Sequence, residues 1–114
     1  IEKEYMPWRD YDGNPFLEEG GFWMQKQHVF LYPFYYIDYC LAQTVALQFW
    51  ARIRDNLPDA WEHYMAYTKQ GGSRTFTELL ANAGLVSPFD EECLKTVCST
   101  AKKWLENYDM TGIE

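Results

Sequence analysis

A chain of 114 residues is long enough for one domain and too short for two ordinary ones. Hydrophobic residues make up 47% and aromatic residues 18%, which argues for a packed core and against disorder. Ten basic residues against seventeen acidic ones give a net charge of −7, which disfavours a nucleic-acid partner, since that requires clustered Lys and Arg.

Nine Tyr, seven Phe and five Trp are more rings than a small chain can hide. Some are expected to face a ligand, a partner or further protein. The three cysteines, Cys40, Cys93 and Cys98, are too few and irregular for a disulfide framework. Buried free thiols in a reducing cytoplasm are the expectation. No signal peptide is legible, and the chain opens on Ile1 without an initiator Met, as a processed or trimmed chain would.

Residues 2–8 read as the tail of a helix stopped near Pro7. Arg9 to Pro15, with its Asp-Gly and Asn-Pro steps, reads as a turn. A first clear helix is expected from about Phe16 or Gly20 to Phe30, with Gly20 and Gly21 blurring its start. Pro33 restarts the chain. From Phe34 to Arg54 there is neither Gly nor Pro, which predicts a long central helix, apolar nearly all round and therefore buried in a larger protein. Asp38, Gln43, Gln48 and Arg52 interrupt it and argue against a membrane span. Asp38 is either a buried, hydrogen-bonded acid or one that orients a neighbour.

Pro58 opens the next helix, which runs to about Lys69 and stops at Gly71-Gly72. Ser73 is expected to cap a short helix to Asn82, ended by Gly84. Ser87-Pro88-Phe89-Asp90 starts the last helix, with Leu94, Val97, Cys98, Ala101, Trp104, Leu105 and Tyr108 on one face. Residues 111–114 are expected to fray. The fold class is all-α, about five helices with short connections, and the chain reads as a single unit over residues 1–114.

Four tyrosines, Tyr32, Tyr35, Tyr36 and Tyr39, fall within eight residues and carry four hydroxyls that need partners. A run of this kind is either aromatic core or the wall of a wet cleft. Tyr36 and Tyr39 fall near one helical face, and Pro33 keeps Tyr32 out of helical geometry. His63 lies on an amphipathic helix and reads as structural or solvated. Cys93 and Cys98, five apart, have poor spacing for a shared metal.

The stretch from His28 to Tyr39, above all Pro33-Phe34-Tyr35-Tyr36-Ile37-Asp38-Tyr39 followed by Leu41-Ala42-Gln43, resembles a segment of oligoendopeptidase F, and more distantly of the thimet oligopeptidase-like zinc metallopeptidases. Arg9-Asp10-Tyr11-Asp12-Gly13-Asn14, Phe16-Leu17-Glu18 and Gln27-His28-Val29-Phe30 extend the likeness over nearly the whole chain. The resemblance implies the C-terminal part of a helical, cytoplasmic enzyme that cleaves short peptides. It implies His28, Tyr36 and Tyr39 as donors toward a developing oxyanion, with Tyr35 and Tyr32 facing substrate.

The family's zinc sits on an H-E-x-x-H helix with a further glutamate. That motif is absent here, and His28 and His63 are the only two histidines. The implied zinc therefore belongs to the parent enzyme, with no ligand in this chain, and the chain alone is expected to be inactive. Its expected partners are short peptide substrates and the rest of the catalytic domain, with neither nucleic acid nor membrane. A different class of reading is a stand-alone helical module that binds itself or a hydrophobic partner through its aromatic surface.

Overall fold

The computed structural model describes residues 1–112. The fraying expected at the C-terminus falls, for Ile113 and Glu114, outside the described residues. Among these residues the fold is all-α without strands. The helices are α1 (Glu2–Tyr5), α2 (Pro15–Glu18), α3 (Gln27–Leu31), α4 (Ile37–Asp55), α5 (Leu57–Gln70), α6 (Phe76–Asn82) and α7 (Glu91–Glu106). No helix among the described residues is long and apolar enough to cross a membrane. The backbone divides into two compact units, Ile1–Asp38 and Tyr39–Glu114, with the division inside the first turn of α4.

In the first unit the helices are short because turn residues break them. Glu2 accepts from the Arg9 guanidinium at 2.9 Å and from the Tyr11 hydroxyl, fastening α1 to the turn that follows. The Tyr11 hydrogen bond, with the Arg9 charge behind it, holds the Glu2 carboxyl below its usual range. The Asn14 side chain caps α2 by accepting from Leu17 N–H at 3.2 Å, and Pro15 opens the helix with its φ already set.

The single early helix expected up to Phe30 is here three pieces: α2, a 3-10 turn at Gly21–Gln25, and α3. Gly20 takes φ +96°, a left-handed conformation that ends α2. Gly21 lies under the Phe16 ring, where a Cβ would come within 2.4 Å of ring carbon. Two glycines thus split one expected helix into α2 and α3, and with α1 the described residues carry seven α-helices.

In the second unit α4 holds the core. Val45 and Phe49 pack with Leu80, Ala83 and Leu85, and Tyr67 and Phe76 close the edge. Phe49 meets Tyr64 edge-on at 5.3 Å and Tyr67 at 5.7 Å. The length expected of this helix is met, starting at Ile37 rather than Phe34. Within this chain its burial is confined to Thr44, Val45 and Phe49, while Ile37 and Ile53 are exposed.

The polar residues that punctuate α4 have specific work. The Gln48 side chain pairs with Val86 like a strand neighbour, donating to its carbonyl and accepting from its N–H, both at 2.9 Å. One turn on, Arg52 donates to the carbonyls of Ala83 (3.0 Å) and Gly84. Those carbonyls follow α6, which closes as a Schellman turn: Leu85 N–H reaches Leu80 O, Gly84 N–H reaches Ala81 O, and Gly84 takes φ +63°. Asp38, by contrast, is exposed rather than a buried acid.

The cap of α6 is Thr75 rather than Ser73, and the cap of α7 is the Asp90 side chain, accepting from Glu92 N–H at 2.9 Å. All three thiols are free, but only Cys93 is buried, which corrects the expectation for the other two. Cys40 and Cys98 fall on exposed helix positions. Burial, aided by the nearby Asp90 charge, pushes the Cys93 thiol up.

Candidate functional site

The site grows from the break between α3 and α4. Tyr32 N–H still reaches the His28 carbonyl at 3.0 Å, but Tyr32 itself has left the helix, with φ −134° and ψ 70°. Pro33 has no N–H to continue the ladder and disfavours helical geometry at Tyr32. Tyr35 N–H then bonds to Tyr32 O at 3.2 Å, and Asp38 N–H to Tyr35 O at 3.0 Å as α4 begins. Inside this reversal Phe34 takes φ +69°. A bulky side chain in that region costs about 1–2 kcal/mol relative to the helical basin.

This turn folds the tyrosines back over His28. The Tyr36 ring lies nearly parallel to the imidazole, 5.3 Å between centroids and 14° between planes. Tyr35 stacks at 6.2 Å and Tyr32 tilts at 6.4 Å, and Tyr32 meets Tyr35 edge-on at 6.3 Å. Within this chain all three tyrosines are about half exposed.

His28, Tyr32, Tyr35 and Tyr36 are therefore brought together within the first unit. Tyr39 stands in the second unit, in the first turn of α4, and is half exposed. Beside His28 is a cavity of about 380 Å³, walled by Tyr32, Tyr36, Val29, Pro33, Phe34 and Ile37. A larger cavity, about 760 Å³, lies between α1 and the 3-10 turn and also takes in Tyr36. On its wall the Phe22 ring lies under two cations, Arg9 at 4.0 Å and Lys26 at 4.6 Å.

Sequence reasoning missed the apolar walls, Val29, Phe34 and Ile37. A proline just after a helix end was the one available signal of a reversal there. The other histidine, His63, donates from Nδ1 to the Asp59 carbonyl (2.9 Å) on α5, a structural setting of the kind expected for it.

No group of three or more His, Cys, Asp or Glu among the described residues could hold a metal ion. The described residues thus supply no cluster that could hold the zinc that the resemblance implies. What the site offers is hydrogen-bond donors beside an apolar wall.

No protein-family model and no curated protein sequence matches the chain. Two solved structures do. One is a PZ peptidase A with an inhibitor, at 49% identity and a TM-score of 0.86, covering 95% of this chain and 19% of that one. The other is a protein described as an oligoendopeptidase F, at 46% identity and 0.86, with the same coverage on both sides. The chain thus spans about a fifth of the length of these peptidases. In sequence and in fold, it corresponds to a C-terminal helical segment of the oligoendopeptidase F-type peptidases.

Proposed function

We propose that this chain is the substrate-facing C-terminal part of a zinc-dependent oligoendopeptidase that hydrolyses short peptides. The observation that carries the reading is the stacking of Tyr36, Tyr35 and Tyr32 around His28 on an open cleft, in a segment that matches two peptidases. Peptide hydrolysis passes through a tetrahedral intermediate with negative charge on the former carbonyl oxygen. Phenol and imidazole donors held by a fixed turn can meet that charge as it develops. Tyr36, Tyr39 and His28 take this role, and Tyr35 and Tyr32 contact the peptide.

The metal's share of the chemistry falls to residues outside this chain, so the segment alone is inactive. One domain, residues 1–114, joins the rest of the catalytic domain. A cytoplasmic setting accords with three free thiols.

In a full-length peptidase carrying this segment, Tyr36→Phe and Tyr39→Phe are each expected to lower kcat roughly 10²–10³-fold with little change in KM. Unchanged kcat in both variants would sink the donor assignment. The isolated segment supplied with zinc is expected to show no turnover.

A second reading, self-association, has its own observation. Leu57 and Trp61 on α5 are more than half exposed one helical turn apart, an apolar stripe open to a partner. Light scattering separates the readings: a full-length peptidase that stays monomeric, with Trp61→Ser leaving its size unchanged, removes the second.

A further inference from the structure

The larger cavity, about 760 Å³, has the size of a site for a small ligand, and Ile1, Met6, Phe22 and Trp23 give it a mainly apolar wall. Two cations stand on one ring of that wall. The Arg9 guanidinium lies 4.0 Å and the Lys26 ammonium 4.6 Å from the Phe22 centroid. Glu2 lines the same cavity, but its carboxylate already accepts from Arg9 at 2.9 Å and from the Tyr11 hydroxyl. Among the described residues Lys26 forms no ion pair. Two cations against one acid leave a positive charge at Lys26, beside apolar walls that screen it less than water would.

Lys26 is also held in place by the backbone. It joins the 3-10 turn to α3, with its N–H on Trp23 O and its carbonyl receiving Val29 N–H, both at 3.0 Å. His28 follows two residues on. Tyr36, stacked on His28, lines both this cavity and the smaller one. Through Tyr36 the cationic cavity therefore adjoins the candidate donors.

We propose that this cavity receives the C-terminal carboxylate of the peptide, with Lys26 as its counter-ion. The proposal rests on the peptide-facing role assigned above to His28 and Tyr36. An unblocked peptide that passes Tyr36 carries a fixed anion at its end, and the Lys26 ammonium is the cation placed to meet it. The N-terminal ammonium finds no such counterpart, because Glu2 is already engaged. Holding the chain end limits its distance from the scissile bond, so the substrate class is a short peptide with a free C-terminus.

The test uses a full-length peptidase carrying this segment and matched peptides that end in a free carboxylate or an amide. The ratio of kcat/KM for the acid over the amide is expected to be roughly tenfold, the scale of a hydrogen bond to a charged group, and to shrink as salt rises. Lys26→Met keeps an apolar stem on Phe22 and removes the charge, so the ratio should fall toward one, whereas Lys26→Arg should keep it. Absence of the acid preference in the unaltered enzyme overturns the proposal. So does a ratio that Lys26→Met leaves unchanged, or an equal loss on both peptides, which would give Lys26 a packing role. An amidated peptide ending in Asp that regains the full rate also overturns it, since a side-chain carboxylate would then serve as well. If Lys26→Met does not fold, a ratio that stays constant from low to high salt overturns it instead. The two readings fail separately. A kcat loss in Tyr36→Phe beside an acid-to-amide ratio of one removes only the anchor, and an unchanged kcat in Tyr36→Phe and Tyr39→Phe removes the donors.

Discussion

In the unit Tyr39–Glu114 the side chains of Val45, Phe49, Leu80 and Leu85 are shielded from water, and polar side chains of α4 tie down the segment that follows α6. In the unit Ile1–Asp38 Gly21 alone is buried among the described residues. Order there comes from turns, the Asn14 cap and partly buried charge contacts such as Arg9 with Glu2. Such contacts are individually weak. The candidate site lies on this second kind of structure. Its rings are placed by backbone geometry, through Pro33 and the reversal at Phe34, and about half of their surface stays open. A region with few buried apolar contacts opens more readily, which suits a surface that must receive a ligand.

The sharpest test of this contrast is removal of core volume. Leu80 is the most deeply buried large side chain, at 1% exposure. Leu80→Ala is expected to destabilise the protein by about 2–5 kcal/mol, measured by denaturant unfolding. A cost below 1 kcal/mol would mean that the second unit has no real core. Next comes Gly21→Ala in the first unit. The new methyl would meet the Phe16 ring at 2.4 Å, yet Phe16 is half exposed and its ring can swing away. The expected cost is about 1 kcal/mol, the low end for overpacking. Amide exchange should speed up in residues 16–31 and stay unchanged around Val45 and Leu80. Equal acceleration in both units would break the comparison.

The all-α class, the long helix through α4 and the breaks at Gly71 and Gly84 were legible because they follow from periodicity and from Gly and Pro. The candidate site was named as a set of residues through resemblance. Its geometry was not legible. Phe34 in the left-handed region is a local exception that no propensity foresees, and it fixes how Tyr35 and Tyr36 turn toward His28. The splitting of the early helix was hidden for a related reason. Gly21 matters through what passes over it, a contact that depends on the folded chain. Gln48 and Arg52 read as interruptions of an apolar helix, whereas each satisfies backbone groups more than 30 positions away.

The smallest expected effect lies at the start of α6. Thr75 and Glu78 form a reciprocal cap: Glu78 accepts from the Thr75 N–H at 2.9 Å and from its hydroxyl at 2.8 Å, while Glu78 N–H reaches the Thr75 hydroxyl at 3.4 Å. The backbone hydrogen bond from Thr75, then its hydroxyl, holds the Glu78 carboxyl below its ordinary range. A carboxyl lowered in the folded state binds its proton more readily in the unfolded chain. Its contribution is therefore present above the unfolded value of about 4.3 and is lost as pH falls through the folded value. Thr75→Ala is expected to cost about 1 kcal/mol at neutral pH. Glu78→Gln should flatten the fall in stability below about pH 4.3 while leaving a neutral acceptor for the same N–H. Both are read by thermal melts across pH 3–7. If Glu78→Gln kept the full acid slope, the cap would not be the titrating element, and the stability of α6 would rest on Leu80 and its neighbours alone.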